Sequence, residues 1–271
     1  MGGFIEKVIY MSKFIYNSNS LEEQIEAIDV PKNAFAYLNW FFEEQKNPNN
    51  EPKVNKYIDS LQFFIMGNSY ISISFKNLYQ LYTEGNKCNI ADNLIFPILF
   101  NLMHGLECWL KSGILSISNL YNFEKKIKKI HELGLLYDEF KSNVTNTKLG
   151  SIVNKNMDFN FIEDFISDLR LNNVRFDFAR YSSFESDGVS QSQFYCGCHN
   201  VCIDMSMLLK FFFYLIKDFR TLISYILNCC QYNEIPEKSN YTSFIDTGSN
   251  FNFDKITDID IFIYQYILGT I

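Results

Sequence analysis

The stretch "FPILFNLMHGLECWLKSGIL" (residues 96–115) is mostly apolar, yet it carries Asn101, His104, Glu107 and Lys111. At 3.6 residues per turn these four side chains fall within about a third of a helix circumference. We call them the polar stripe. A helix this apolar is buried on most sides, so its ionisable side chains must face partners, a cleft or an interface. The stripe therefore predicts either a paired structural network or the floor of a site.

Helical spacing dominates the rest of the chain. Ser20 and Glu23 form a candidate capping box in "NSLEEQIEAI", and Pro31 suits a first helical turn. Further helices are predicted at about 54–84, from Asp92 or Phe96 to Ile117, at 123–140, at 158–171 and at 204–230. Pro97 is expected either to open the second of these or to kink it.

One segment has strand periodicity instead. In "VRFDFARY" (174–181), Val174, Phe176 and Phe178 alternate with polar or small residues. Asp187-Gly188 is a tight-turn signal, and "SQSQFYC" (190–196) is a candidate returning strand. The predicted fold class is mainly α, with a small β-hairpin inserted between helices.

Loop-like composition divides the chain into three predicted regions. They are an N-terminal helical extension (1–50), a helical domain (51–232) and a C-terminal loop with a short helix (233–271). The formal charge of −7 disfavours a protein that coats nucleic acid. No stretch has about twenty apolar residues, and the N-terminus lacks a secretion signal, so we expect a cytoplasmic protein with no membrane span. Its seven cysteines are expected to be reduced.

Arg180 is the predicted partner of the polar stripe. It has the same strand parity as Val174, Phe176 and Phe178, so its guanidinium is expected to point towards the core. An inward guanidinium needs a carboxylate, a phosphate or carbonyl groups. Glu107 is one candidate, and the phosphate of a ligand is the other.

Four segments together resemble the HEPN-like helical proteins of prokaryotes, over about residues 94–215. They are "FPILFNLMHGLECWLK", "KIHELGLLYDEF", "FIEDFISDLRLNNVRFDFARYSSFESDG" and "IDMSML". The matching positions are His104, Glu107, Lys111, His131, Leu133, Arg180 and Tyr181. Met103 stands where the family pattern has Arg, and Ser182 where it has Pro. The resemblance implies a HEPN-like bundle over 51–232, a role in antiphage defence or a toxin system, and an RNA-directed function.

The usual ribonuclease motif of that family, an Arg and a His separated by four to six residues, is absent from this sequence. A metal-independent ribonuclease still needs a base, an acid and a cation for the phosphate. His104 and His131 are candidates for base and acid, Arg180 or Lys111 for the cation, and Glu107 for orienting a histidine. The alternative is a non-catalytic module that recognises a nucleotide, RNA or a protein partner, including a second copy of the chain.

Two further clusters have alternative interpretations. Lys125 and Lys126, in "EKKIKKIHE", are either contacts for RNA or part of a solvated helix face, and Asn101 and Tyr181 are further candidate binding residues. Cys196, Cys198, His199 and Cys202 have zinc-ligand chemistry but lack the usual Cys-x2-Cys pair. Small residues where a strand meets a helix are the alternative, and we expect neither a metal nor a cofactor.

Overall fold

The computed structural model describes residues 52–123, 131–153, 159–172, 183–186, 189–192, 202–237, 240–242, 244, 256 and 258–268. These residues all belong to one compact unit, Asn50–Ile271. The described part of the chain is mainly helical, which confirms the predicted α class. Within it, no helix combines the length and the apolarity needed to cross a bilayer.

Eight α-helices and two short strands follow one another along the described residues. The helices are α1 (Pro52–Glu84), α2 (Ile90–Leu120), α3 (Leu133–Thr145), α4 (Leu149–Val153), α5 (Asn160–Leu171), α6 (Met205–Tyr214), α7 (Arg220–Tyr232) and α8 (Ile259–Ile263). A 3-10 turn (Lys87–Asn89) precedes α2, and π-helical turns follow α6 (Leu215–Phe219) and α8 (Tyr264–Leu268). The strands are β1 (Ser183–Ser186) and β2 (Val189–Ser192).

The antiparallel pair α1 and α2 forms the centre of the fold, and two glycines let the helices approach closely. A Cβ atom on Gly67 would lie 2.3 Å from Cδ1 of Trp109, and one on Gly105 would lie 2.7 Å from Cγ1 of Ile71. Ile71 is fully buried in this contact, and Phe75, one turn later on α1, is also fully buried. Burial of their side chains explains why the β-branched stretch 70–74 is helical, since packing overrides local strand propensity.

The start of α2 differs from the predicted start. The helix begins at Ile90, and Pro97 lies inside it on an exposed position, so Pro97 does not open the helix. The preceding turn contains Asn89 with φ +56°, and the side chain of Asn86 accepts a hydrogen bond from the N–H of Ala91 at 2.8 Å. This bond satisfies one of the amide groups that the first turn of a helix leaves unpaired.

Helix α3 runs in the same direction as the second half of α2. His131, just before α3, contacts Glu107, and Phe140, near the end of α3, lies against Gly113. His131 therefore lies beside a point on α2 that is about 20 Å back from Leu120, given a rise of 1.5 Å per residue. A residue from outside α2 is thus placed beside the polar stripe.

The prediction of one helix over 123–140 is wrong at residues 131 and 132, where the backbone is not helical. Glu132 is extended, with φ −81° and ψ 112°. Helix α3 begins only at Leu133, so His131 lies on the approach to a helix instead of within one. The helical spacing of Gly134, Tyr137 and Phe140 is confirmed because all three are buried on α3.

The two strands pair antiparallel, with Ser183 opposite Ser192 and Ser186 opposite Val189. The segment 174–181, which the alternation predicts as the first strand, lies outside the described residues. The inserted hairpin that includes this segment therefore stays a prediction.

The C-terminal helix α8 lies against α1. Nζ of Lys76 is 2.5 Å from Oδ1 of Asp260, and the rings of Phe75 and Phe262 are 5.6 Å apart. Asp258 caps α8 by accepting hydrogen bonds from two of its amide groups. Residues 259–268 thus pack on α1, as α6 and α7 also do.

Candidate functional site

The carboxylate of Glu107 binds three side chains, although only 2% of its own side chain is exposed. Lys111, one turn later on α2, donates to Oε1 at 2.5 Å. Nδ1 of His131 also lies 3.1 Å from Oε1, and Nδ1 of His104 lies 3.4 Å from Oε2. We call these four residues the Glu107 cluster. The sequence predicted that His104, Glu107 and His131 meet, and Lys111 of the polar stripe joins them.

The partners of Glu107 keep it ionised despite its burial. Burial is the largest influence and by itself raises the pKa of a carboxyl group. Hydrogen bonds from His104 and Lys111, together with the charge of Lys111, outweigh it, so the pKa of Glu107 lies below its ordinary value. The cluster therefore contains a permanent negative charge that Lys111 compensates.

The two histidines have very different surroundings. The side chain of His104 is 18% exposed, with the ring of Tyr70 edge-on at 4.4 Å and that of Phe100 stacked at 6.0 Å. The side chain of His131 is 63% exposed. Lys111, for its part, is 8% exposed, and its ammonium group lies 5.8 Å from the ring centre of Phe63. Solvent reaches the cluster mainly at His131.

The two imidazole rings have the same orientation relative to Glu107. Each ring directs Nδ1 towards the carboxylate of Glu107. A neutral histidine that donates from Nδ1 has its basic lone pair on Nε2, and a protonated one carries an acidic proton there. An arrangement of this kind holds a proton acceptor or donor at a defined atom, as carboxylate–histidine pairs do in metal and acid–base sites.

Of the other predicted site residues, the structure describes Asn101 alone. Asn101 is half-buried on α2 and is not among the hydrogen-bonding partners of Glu107 within the described residues. Arg180, Tyr181, Lys125 and Lys126 lie outside the described residues, so a pairing of Arg180 with Glu107 remains a prediction.

The candidate zinc ligands Cys196, Cys198 and His199 also lie outside the described residues. Cys202 is described, and it is exposed with a free thiol. In the ranges that the structure describes, no group of three or more His, Cys, Asp or Glu side chains is arranged to hold a metal ion.

The pairing of Glu107 with Lys111 was the element that sequence reasoning missed. A glutamate four residues before a lysine on one helix is a recognised stabilising spacing, and it was present in the sequence. In the sequence, Glu107 was instead a candidate partner for Arg180, because an inward guanidinium needs a carboxylate or a phosphate, whereas a lysine can direct its ammonium group to solvent.

A second buried polar group was also missed. Arg220, at the start of α7, is 4% exposed and donates to Oδ1 of Asn68 at 3.3 Å and to the carbonyl of Ile267 at 2.7 Å. The guanidinium lies 5.2 Å from the ring centre of Phe64, and burial lowers the pKa of Arg220 to about 10. Oδ1 of Asn68 also accepts from the indole N–H of Trp109. These contacts connect α1, α2, α7 and the C-terminal turn, which is a structural role.

Comparison with known proteins adds no assignment. No family model, no curated protein and no solved structure matches this chain. The fold and the site place it in the class of mainly helical proteins that carry a buried carboxylate with two histidines.

Proposed function

We propose that this chain is a HEPN-like, RNA-directed protein of prokaryotic antiphage defence or toxin type, acting in the cytoplasm. The observation that supports it is the binding of two histidines, from separate parts of the chain, to one buried carboxylate. Both histidines match positions of the family pattern on which the resemblance rests. The finer architecture, a HEPN-like bundle with an inserted hairpin, belongs to the same proposal.

In the proposed reaction the two histidines cleave a phosphodiester without a metal. One imidazole removes the proton of a 2′-hydroxyl, and that oxygen attacks the phosphorus. The bond from phosphorus to the 5′ oxygen breaks, and the other imidazole protonates the leaving oxygen. Such acid–base transfer contributes about 10²–10⁴-fold to a rate. Glu107 positions both rings and does not itself exchange a proton.

The charge of the phosphate requires a cation near the histidines. Lys111 already compensates Glu107, so the cluster presents no uncompensated negative charge to an approaching phosphate. Protonation of either histidine then gives it a net positive charge. Arg180 is the proposed additional cation, on the strength of its position in the family pattern.

A non-catalytic binding module is the second candidate, and one observation favours it. Lys111 and Glu107 are both largely buried, and His104 is enclosed by two aromatic rings, as in a network that holds helices together. Under this alternative the chain binds a nucleotide, RNA, a protein partner or a second copy of itself, and it signals by forming the complex.

An RNA cleavage assay on the full chain separates these candidates. Labelled single-stranded and hairpin RNAs are incubated with the protein in the presence of EDTA, and the products are examined for 2′,3′-cyclic phosphate ends. We expect cleavage by the wild type, loss of at least tenfold in His104→Ala and His131→Ala, and retained cleavage in His199→Ala, which changes the remaining histidine of the sequence.

The binding alternative has its own signature in the same experiment. RNA that is retained but not cut, with native mass spectrometry showing a bound nucleotide, RNA or second subunit, would support the binding module. A monomer that neither cuts nor retains RNA contradicts the RNA-directed function altogether.

A further inference from the structure

Consecutive side chains just before α3 are held by different helices. His131 contacts Glu107 of α2 at 3.1 Å, and Glu132 contacts Nη2 of Arg170, in the last turn of α5, at 3.1 Å. Glu132 has extended backbone angles, and neighbouring side chains of an extended chain point to opposite sides. The histidine therefore faces α2 while the glutamate faces α5.

The residue that contacts Arg170 is also the residue immediately before α3. Glu132 is the N-cap of this helix, and its carbonyl accepts a hydrogen bond from the N–H of Leu136 at 3.2 Å. The side chain of Glu132 does not cap the helix. Its carboxylate accepts a hydrogen bond from Arg170 instead. Fixing the side chain of Glu132 thus fixes the backbone that His131 shares with it.

Gly134 makes room for the guanidinium. A Cβ atom at this position would lie 1.9 Å from Nη2 and 2.6 Å from Cζ of Arg170. The arginine side chain consequently lies directly over the first turn of α3. Any side chain larger than hydrogen at 134 displaces the end of Arg170, which is flexible, and leaves the helix backbone in place.

We infer that Arg170 is a positioning residue that holds His131 against Glu107 by way of Glu132. As a statement about RNA cleavage this rests on the proposed function, but as a statement about the orientation of His131 it does not. This role also explains why residue 134, in the first turn of α3, is a glycine, although glycine is unfavourable in a helix.

The first test measures the tautomer of His131 by NMR of ring-¹⁵N-labelled protein, which requires no activity. His131→Ala identifies its signals. In the wild type we expect the Nδ1-protonated form, since Nδ1 faces the carboxylate of Glu107. Arg170→Gln and Glu132→Gln are expected to shift the population severalfold towards the Nε2-protonated form. The charge-swapped double variant Glu132→Arg with Arg170→Glu is expected to recover most of the wild-type ratio.

The chain offers a matched control for this test. Lys141 and Glu163 form another ion pair between α3 and α5, with side chains exposed to a similar degree as those of Glu132 and Arg170. Lys141→Ala breaks this pair away from His131, and we expect it to leave the tautomer unchanged. An equal shift in Lys141→Ala, or no shift in Arg170→Gln, would overturn the inference.

Gly134→Ala separates positioning from stability. Alanine favours the helix, so the melting temperature is expected to hold or rise, while the displaced Arg170 releases His131 and shifts its tautomer. A wild-type tautomer in Gly134→Ala contradicts the inference.

Where RNA is cleaved, kcat is expected to fall in Arg170→Gln with KM changed little. A wild type that cuts no RNA counts against the proposed function, and the tautomer measurements still decide the role of Arg170.

Discussion

Nδ1 of His131 lies 3.1 Å from Oε1 of Glu107, although 24 positions and a reversal of the chain separate the two residues. Glu107 is in the middle of α2, whereas His131 lies on the extended approach to α3. The parallel course of these helices is what brings them together. The carboxylate is therefore both a buried charge that needs partners and the point at which two segments are joined.

Replacing Glu107 with glutamine should destabilise the protein, because it leaves the ammonium group of Lys111 buried without its counter-charge. Breaking a buried pair of this kind costs about 3 kcal/mol. Urea unfolding would measure it, and the double variant Glu107→Gln with Lys111→Met should regain most of the loss. A double variant as unstable as the single one would contradict this account.

Acid should weaken the contribution of Glu107. Its pKa in the folded protein lies below the ordinary value of 4.5, so the unfolded chain binds the proton more readily. The stabilisation is thus complete above the unfolded pKa and is lost as pH falls through the folded one. The difference in unfolding free energy between wild type and Glu107→Gln should shrink as pH is lowered from 4.5. A difference that grows in this acid range would reverse the sign and refute the prediction.

The two histidines should differ in their effect on stability. His104→Ala removes a ring packed on Tyr70 and Phe100 and a hydrogen bond to a charged group, which together cost about 2 kcal/mol. His131→Ala removes a largely exposed side chain and should cost less than about 1 kcal/mol. Thermal unfolding of both variants checks the order. Equal losses would mean that His131 is as important to the fold as His104.

Gly67→Ala should destabilise the protein even though alanine is the better helix former. The new methyl group would overlap the indole of Trp109. Overpacking of a core costs about 1–3 kcal/mol, which exceeds the stabilisation expected from replacing glycine by alanine in a helix. Asn77→Ala, on an exposed position of the same helix, is the control and should be nearly neutral. Chemical denaturation of the two variants measures the contrast. A neutral Gly67→Ala would show that α1 and α2 can move apart at little cost.

Arg220→Met should loosen the C-terminal turn. The carbonyl of Ile267 loses a donor at 2.7 Å, and loss of such a buried bond from a charged group costs about 1.5–3 kcal/mol. Hydrogen exchange of amides in 259–268 should accelerate, while exchange in α3 should change less. Lys76→Ala, which breaks the exposed pair with Asp260, should affect the same amides only weakly.

Helical spacing was sufficient to predict the mainly helical class and the polar stripe. Both follow from local regularities, since a residue's face on a helix depends only on its distance along the chain. Gly134, Tyr137 and Phe140 were placed on a common buried face for the same reason.

What the sequence did not predict depends on contacts between distant segments. The extended backbone at Glu132 follows no local pattern, and the contact of Arg170 with Gly134 joins residues 36 positions apart in the numbering. The approach of His131 to Glu107 likewise joins two segments, and no local spacing predicts it.

Helix α2 packs against α1, α3 and α7, and it also carries three members of the Glu107 cluster. A turn of this helix about its axis by one residue, roughly 100°, would move His104, Glu107 and Lys111 together and withdraw the carboxylate from His131. Substitution at position 107 is therefore constrained by the packing of the whole helix. Substitution on the exposed approach to α3, where His131 lies, is constrained far less.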